Sequence, residues 1–131
     1  MARRADPVRI LVTGSRTWDD KDTIDSAITG YLRSISTSTE GDPPCPVVVH
    51  GGARGADQLA DRVARERGWT PECHRADWDR YGRSAGYRRN AVMVTLGANV
   101  CLAFIHQHSP GATHAAELAQ RAGIPTHRYH R

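Results

Sequence analysis

The residue types best suited to binding an anion lie in residues 50–57, which read His-Gly-Gly-Ala-Arg-Gly-Ala-Asp. The three glycines let the backbone turn tightly and approach a ligand, and a helix predicted directly afterwards offers unpaired N–H groups with a partial positive charge. We therefore expect a phosphate group to bind here. Asp57 would either cap that helix or contact the ligand. The candidate ligand contacts of this segment are Gly51, Gly52, Arg54, Gly55 and Asp57.

A second segment, Gly14, Ser15 and Arg16, follows the first predicted strand. It would bring a backbone turn, a hydroxyl and a guanidinium to the same ligand. For Arg16 the alternative is an ordinary surface position. The segment lacks both the GxGxxG and the GxxxxGK(S/T) signatures, so the sequence favours neither an ordinary dinucleotide-binding fold nor a P-loop nucleotide hydrolase.

A third segment, residues 77–90, mixes aromatic residues and arginines just before a predicted helix. Aromatic faces can stack on a base while arginines hold phosphate oxygens, although Trp78 and Tyr81 could instead pack the loop onto the sheet. Arg88 and Arg89 point about 100° apart on a helix, so we expect only one of them to face the site. The candidate contacts here are Asp77, Trp78, Tyr81, Arg88, Arg89 and Asn90.

A fourth segment, residues 106–113, again precedes a predicted helix. Gly111 and Thr113 are candidate ligand contacts in it, and Thr113 would either cap the helix or bind an anion. His106 and His108 have the spacing of a metal-binding pair, but no carboxylate or cysteine at ligand spacing accompanies them. We therefore predict neither a metal site nor a cofactor.

The elements that must position these segments alternate along the chain. Short apolar runs predict strands at residues 9–13, 47–50 and 100–105, and two further short strands are predicted at residues 70–74 and 126–129. Helical spacing predicts helices at residues 24–35, 56–67, 84–96 and 113–122, the third with Val92, Met93 and Leu96 facing inward. Residues 34–46 are predicted to form a surface loop, and residues 75–82 an irregular stretch.

Strands that alternate with helices imply parallel pairing and right-handed crossovers. The predicted fold class is therefore α/β, a three-layer Rossmann-like sandwich with a mostly parallel sheet of about five strands. Ligands of such sheets bind beyond the carboxyl ends of the strands, where all four segments lie. We expect one domain over residues 1–131, with residues 1–8 as a flexible N-terminus.

Composition adds mainly exclusions. The chain has no apolar run long enough to span a bilayer and no secretion signal at its start, so we expect a cytoplasmic protein without a membrane partner. Its three cysteines include no CxxC pair, which argues against both a disulfide framework and a zinc knuckle. The net charge of +4 comes almost entirely from arginine, but charge alone does not indicate a nucleic-acid partner.

The glycine-rich element of residues 50–57 and the Arg89-Asn90-x-x-Met93 element, in this order and spacing, resemble the YspA-like branch of the SLOG superfamily. Gly14-Ser15-Arg16 and Ala76-Asp77-Trp78 fit the same pattern, and the resemblance spans about residues 9–129. It implies a Rossmann-like domain that binds a nucleotide or a nucleotide-derived phosphate ligand. Relatives include the LOG phosphoribohydrolases and the DprA DNA-processing proteins.

Resemblance to LOG enzymes implies a second function, cleavage of the N-glycosidic bond of a nucleoside 5′-monophosphate. Arg89 matches the arginine of their first element, although Asn90 stands where they have lysine. In their second element, alanines occupy the positions of both glutamates here, and Glu117 comes one residue late. The candidate catalytic residues are therefore Arg89 with Glu117 or, if Glu117 cannot reach, with Asp57, Asp77 or Asp79 in its place. It stays open whether the chain is an enzyme.

Three hypotheses follow from these residues. The first is a sensor or processing domain that binds a nucleotide-derived small molecule, the second a phosphoribohydrolase, and the third a DprA-like nucleic-acid binder. Because LOG-like relatives pair through helices that flank the site, the resemblance also implies a homodimer.

Overall fold

The computed structural model describes residues 7–36, 45–107 and 109–131. Its five strands all run parallel in one sheet, in the order β3-β2-β1-β4-β5. They are β1 (Arg9–Gly14), β2 (Val47–His50), β3 (Thr70–Cys73), β4 (Val100–Ile105) and β5 (Thr126–His130). The predicted α/β sandwich with a parallel sheet of about five strands is therefore confirmed.

The helices cover both faces of this sheet. They are α1 (Lys21–Ile35), α2 (Ala56–Glu66), α3 (Trp78–Tyr81), α4 (Ala85–Leu96) and α5 (Pro110–Arg121), with a 3₁₀ turn, Gly82–Ser84, between α3 and α4. Helices α1 and α2 pack on one face through a cluster that includes Ile10 and Phe104, and α4 and α5 pack on the other through Leu11 and Met93. The central strand β4 is apolar throughout, and β1 is apolar at Ile10, Leu11 and Val12, because both faces of these two strands are buried.

The order of the strands decides where the loops meet. β1 lies between β2 and β4, so the loops that follow these three parallel strands converge at the middle of one sheet edge. The strand order reverses its direction at β1, which is the position where open α/β sheets form a crevice.

Some predicted details were wrong. Val92 and Leu96 do not face inward: they are 51% and 54% exposed, and only Met93 of the three is buried. The apolar residues of α4 are not confined to one face, and the sheet and α5 cover only a narrow stripe of the helix. The region predicted as irregular contains α3, which starts because the Asp77 carboxylate accepts a hydrogen bond from the Arg80 N–H at 3.1 Å.

Helix α5 begins three residues earlier than predicted, at Pro110, because proline at a first helical position has its φ already set for the helix. Thr113 therefore lies inside the first turn, with its N–H on the Ser109 carbonyl at 3.0 Å, and does not cap the helix. Two other predictions concern residues outside the described ranges: most of the surface loop, residues 37–44, and most of the flexible N-terminus, residues 1–6. Among the described helices, none is long and apolar enough to cross a bilayer.

Candidate functional site

A cavity of about 450 Å³ opens at the carboxyl end of the sheet, in the crevice between the loops that follow β1, β2 and β4. One side is formed by α4 and the other by the start of α5. Eight of the predicted site residues line it: Gly14, Ser15, Arg16, Asp57, Trp78, Arg89, Asn90 and Gly111. The four segments selected from the sequence thus contribute to one cavity.

The first loop closes the bottom of this cavity through the Ser15 hydroxyl. That hydroxyl accepts a hydrogen bond from the His106 N–H at 2.8 Å and lies 3.2 Å from the His106 carbonyl. The Ser15 carbonyl accepts from the Ala56 N–H at 3.2 Å. A side chain at Gly14 would overlap Ala56, so glycine is needed for close packing there. The polar atoms of Ser15 therefore hold the loops together through hydrogen bonds, and the neighbouring Arg16 is exposed.

The glycine-rich loop uses its own N–H groups to hold its shape. The Gly51 and Ala53 N–H groups donate to Asp57 Oδ2 at 3.0 and 3.3 Å, and the Gly52 N–H donates to His50 Nδ1 at 3.0 Å. Gly52 and Gly55 adopt positive φ values of 72° and 75°, which favour glycine. Three N–H groups expected to face a phosphate thus point at side chains.

The start of α2 is likewise covered. Its N-cap residue, Gly55, makes no side-chain capping bond, and a side chain there would overlap the carbonyl of Ser15. The first N–H of the helix, on Ala56, donates to that same carbonyl. Gly55 itself does not line the cavity, so the structure leaves little open space for an anion at this helix start.

Asp57 is the only acidic residue among the described residues that line the cavity, and it is 5% exposed. Its Oδ2 holds the two loop N–H groups, whereas its Oδ1 is buried and has no hydrogen-bond partner within the described part of the chain. Burial raises the pKa of this carboxyl, while the nearby His50 and Arg89 and the two N–H groups oppose that rise. Asp57 thus stabilises the loop that precedes α2.

His50 completes the support of the loop from behind. Its ring is 2% exposed, and because Nδ1 accepts from the Gly52 N–H, Nε2 carries the proton that it donates to Asp61 Oδ2 at 2.7 Å. The other oxygen of Asp61 accepts from Arg65 Nε. This histidine therefore orients the backbone and does not face the cavity.

Arg89 extends from α4 across the cavity wall. Its Nη1 donates to the Gly51 carbonyl at 2.6 Å and its Nε to Asn90 Oδ1 at 2.9 Å, which leaves Nη2 without a partner among the described residues. Burial lowers the pKa of this guanidinium, and Asp57 partly opposes the shift. Arg88 points elsewhere, with its guanidinium 4.4 Å from the Tyr81 ring. Of the two adjacent arginines, Arg89 alone lines the cavity.

Two aromatic side chains form the rim. Trp78 is 50% exposed, and its Cη2 lies 3.4 Å from where a side chain on Gly86 would begin. Tyr87, 47% exposed, makes an edge-on contact with His114 at 4.4 Å between ring centres. Exposed aromatic rings beside a cavity are available to stack on a ligand. Tyr81, by contrast, lies outside it between Arg80 and Arg88.

Several residues that line the cavity were not among the sequence predictions. Those with the largest or most polar side chains include Thr17, Arg83, Tyr87, Met93, His106 and Gln107. Helical spacing could have found three of them, because positions 83, 87, 90 and 93 lie three or four residues apart and so share one side of a continuous helical path. No sequence signal marks Gln107, whose φ of 57° is unusual for a residue other than glycine.

The remaining predicted residues do not line the cavity itself. Thr113 and Glu117 line a shallow depression that borders the cavity at Tyr87, Ser109 and Pro110, and Glu117 is exposed there. Asp77 caps α3. Arg54, Gly51 and Gly52 line a smaller depression next to the cavity.

The described residues contain no group of three side chains placed to hold a metal ion. His106 Nδ1 lies 2.7 Å from the Thr17 hydroxyl, and His108, the other histidine of that segment, falls outside the residues that the structure describes. The candidate site is thus one of arginines, aromatic rings and backbone.

Comparison with known proteins identifies the family of the chain. Residues 8–81 match the model of a family described as YspA, cpYpsA-related SLOG family. The chain belongs to this SLOG family. It is also 49% identical over 122 residues to the Gene 61 protein of Mycobacterium phage D29, an alignment that covers 89% of this chain and 92% of the phage protein. No solved structure matches the chain.

The matched segment of the SLOG family runs from just before β1 to the end of α3. It therefore includes the first loop, the glycine-rich loop and Trp78, but neither Arg89 nor the start of α5. Membership confirms the resemblance drawn from the sequence, and it indicates a domain related to nucleotide-ligand binding or processing.

Proposed function

We propose that this chain binds a nucleotide or a nucleotide-derived phosphate ligand in the cavity at the carboxyl end of its sheet. The observation that carries the proposal is Arg89, a partly buried cation on the cavity wall. Within the described residues it forms no ion pair with a carboxylate, and one of its nitrogens has no partner. An anion that entered the cavity would supply the missing partner, and a phosphate suits a guanidinium especially well.

The rest of the cavity suits the other parts of a nucleotide. Its volume of about 450 Å³ is within the usual range for small-molecule sites. Trp78 and Tyr87 at the rim offer faces on which a base could stack. The first turn of α5 also borders the cavity at Gly111 and Ala112, and Ser109 makes no side-chain cap there, so N–H groups at this helix start are available to oxygen atoms of the base or the ribose.

The geometry favours binding over hydrolysis. Cleavage of an N-glycosidic bond needs a carboxylate at the reacting carbon to activate water or to stabilise positive charge. The Asp57 carboxylate is engaged by two loop N–H groups and its second oxygen is buried. Glu117 lies in a different depression. We therefore place the sensor or binding role first.

A thermal-shift titration with nucleoside monophosphates, diphosphates and triphosphates tests this proposal. A ligand at about 100 times its dissociation constant adds about 2.7 kcal/mol to the free energy of unfolding, which a domain of this size reports as a clear rise in Tm. Arg89→Ala should abolish the shift. Arg88→Ala, which removes the neighbouring arginine from outside the cavity, should keep it.

Each alternative gives a different result. Free base released from a monophosphate in the stabilised mixtures, detected by chromatography, would show the chain to be a hydrolase. Tighter binding of an oligonucleotide, with affinity that falls steeply with salt, would favour nucleic acid. If no nucleotide shifts Tm, the proposal is wrong.

A further inference from the structure

A second, smaller depression of about 180 Å³ adjoins the cavity. The glycine-rich loop forms part of its wall through Gly51 and Gly52. Ala53, Trp78 and two arginines line both spaces, so the depression and the cavity share a border. A ligand that fills the cavity could extend into the depression past Trp78.

Four arginines line this depression: Arg16, Arg54, Arg75 and Arg89. No acidic residue lines it within the part of the chain that the structure describes. Arginines elsewhere often meet a carboxylate, as Arg9 meets Glu72 and Arg67 meets Asp25. The four arginines here have no such partner among the described residues, and their positive charges therefore face the same small volume uncompensated.

The total charge around the two spaces indicates how many phosphates a ligand should carry. Together the cavity and the depression are lined by five arginines, the four above and Arg83. Asp57 is the only acidic residue among the described residues that line either space. A terminal phosphate carries a charge of about −1.5 to −2. One phosphate would satisfy Arg89 and leave most of the remaining arginines without a counterion, whereas two or three phosphates would balance them.

We propose that this depression is a phosphate subsite and that the ligand is a nucleotide with two or more phosphate groups. The inference rests on the proposed function and extends it. The base and ribose occupy the cavity between Trp78 and α5, Arg89 at the border holds the first phosphate, and Arg54 and Arg75 contact the phosphates beyond it. An arginine contact with a phosphate is a charge-assisted hydrogen bond, so each added phosphate should tighten binding by about tenfold or more.

The test compares AMP, ADP and ATP by isothermal titration calorimetry at one constant ionic strength. For the unmodified chain, we expect ATP, which has two more phosphates, to bind at least about a hundredfold more tightly than AMP. In the double variant Arg54→Gln with Arg75→Gln, the ratio of ATP affinity to AMP affinity should fall close to one. Arg62→Gln, which removes the same charge from an exposed position on α2, should keep the ratio. All exchanged side chains are exposed, and a melting curve without ligand checks each fold.

The results separate this inference from the proposed function. Equal affinity for AMP and ATP would overturn the subsite and leave nucleotide binding intact, and so would an ATP preference that persists in the double variant. Failure of all three nucleotides to bind would reject the proposed function as well. If a single-stranded oligonucleotide displaces ATP and binds with a steep salt dependence, the arginines serve a nucleic acid and the inference is wrong.

Discussion

Two exchanges of Asp57 separate the effect of its charge from that of its hydrogen bonds. Asp57→Asn keeps an oxygen that can accept from the Gly51 and Ala53 N–H groups. Its amide nitrogen takes the position of Oδ1, which has no hydrogen-bond partner among the described residues, and the side chain no longer carries a charge. Asp57→Ala removes the acceptor altogether. A buried N–H left unpaired costs about 1–3 kcal/mol, and we expect Asp57→Ala to be less stable than Asp57→Asn by about that amount at every pH.

The comparison of Asp57→Asn with the unmodified chain depends on pH. Burial raises the pKa of the Asp57 carboxyl above its ordinary value of 3.8, so the folded state binds a proton more tightly than the unfolded state does. The contribution of this group to stability is thus present below pH 3.8 and is lost as pH rises through the raised pKa. Asparagine does not titrate. The stability of Asp57→Asn relative to the unmodified chain should therefore increase as pH rises from 3.8 through the raised pKa of Asp57.

Urea denaturation at a series of pH values, followed by circular dichroism, measures both differences. The slope of free energy against urea should stay the same in all three proteins, which shows that one folding transition is being compared. If Asp57→Asn is as destabilised as Asp57→Ala, or if its relative stability falls as pH rises, then the carboxylate charge stabilises the loop and burial is not the dominant effect.

Three further exchanges test other parts of the structure. The Arg9 guanidinium holds the pKa of Glu72 at about 2, below its ordinary 4.5. Glu72→Gln should therefore lower the free energy of unfolding by about 1 kcal/mol near neutral pH. Urea denaturation should show this difference disappearing as pH falls from 4.5 towards 2. Gly51→Ala should displace the guanidinium of Arg89, which a side chain there would overlap, and calorimetry should then show lost nucleotide binding. Gln107→Gly should raise stability by about 0.5–1 kcal/mol because φ is 57° there, whereas Gln107→Ala should not.

The sequence predicted the elements well because their signal is local. The apolar runs of β1, β2 and β4 and the helical spacing between strands come from residues close in the chain, and all five predicted strands are present. Which face of α4 is buried was harder to predict, because Val92 and Leu96 look like core residues until the position of α5 is known. The helix at residues 78–81 did leave a local signal, the capping Asp77, which was read as a ligand contact.

The use of the backbone in the glycine-rich loop could not be predicted from the segment itself. Whether the Gly51 N–H faces a ligand or a carboxylate depends on φ and ψ along the loop, and the Gly51 carbonyl finds its donor in Arg89, 38 residues further on. Glycines followed by a helix suggest an anion site because their N–H groups are usually free. Here Asp57 and His50 accept hydrogen bonds from three of these N–H groups, so the groups hold the shape of the loop.

This arrangement has a consequence for how a ligand would be recognised. Because Asp57, His50 and Arg89 already satisfy the polar groups of Gly51 and Gly52, the loop is held in shape before any ligand enters, and little ordering entropy would be lost on binding. Recognition of an anion then falls to side chains, and guanidinium groups can form paired hydrogen bonds with phosphate oxygens. Selectivity among nucleotides should therefore follow the number and position of the arginines that line the two spaces, including Arg54 on the loop itself.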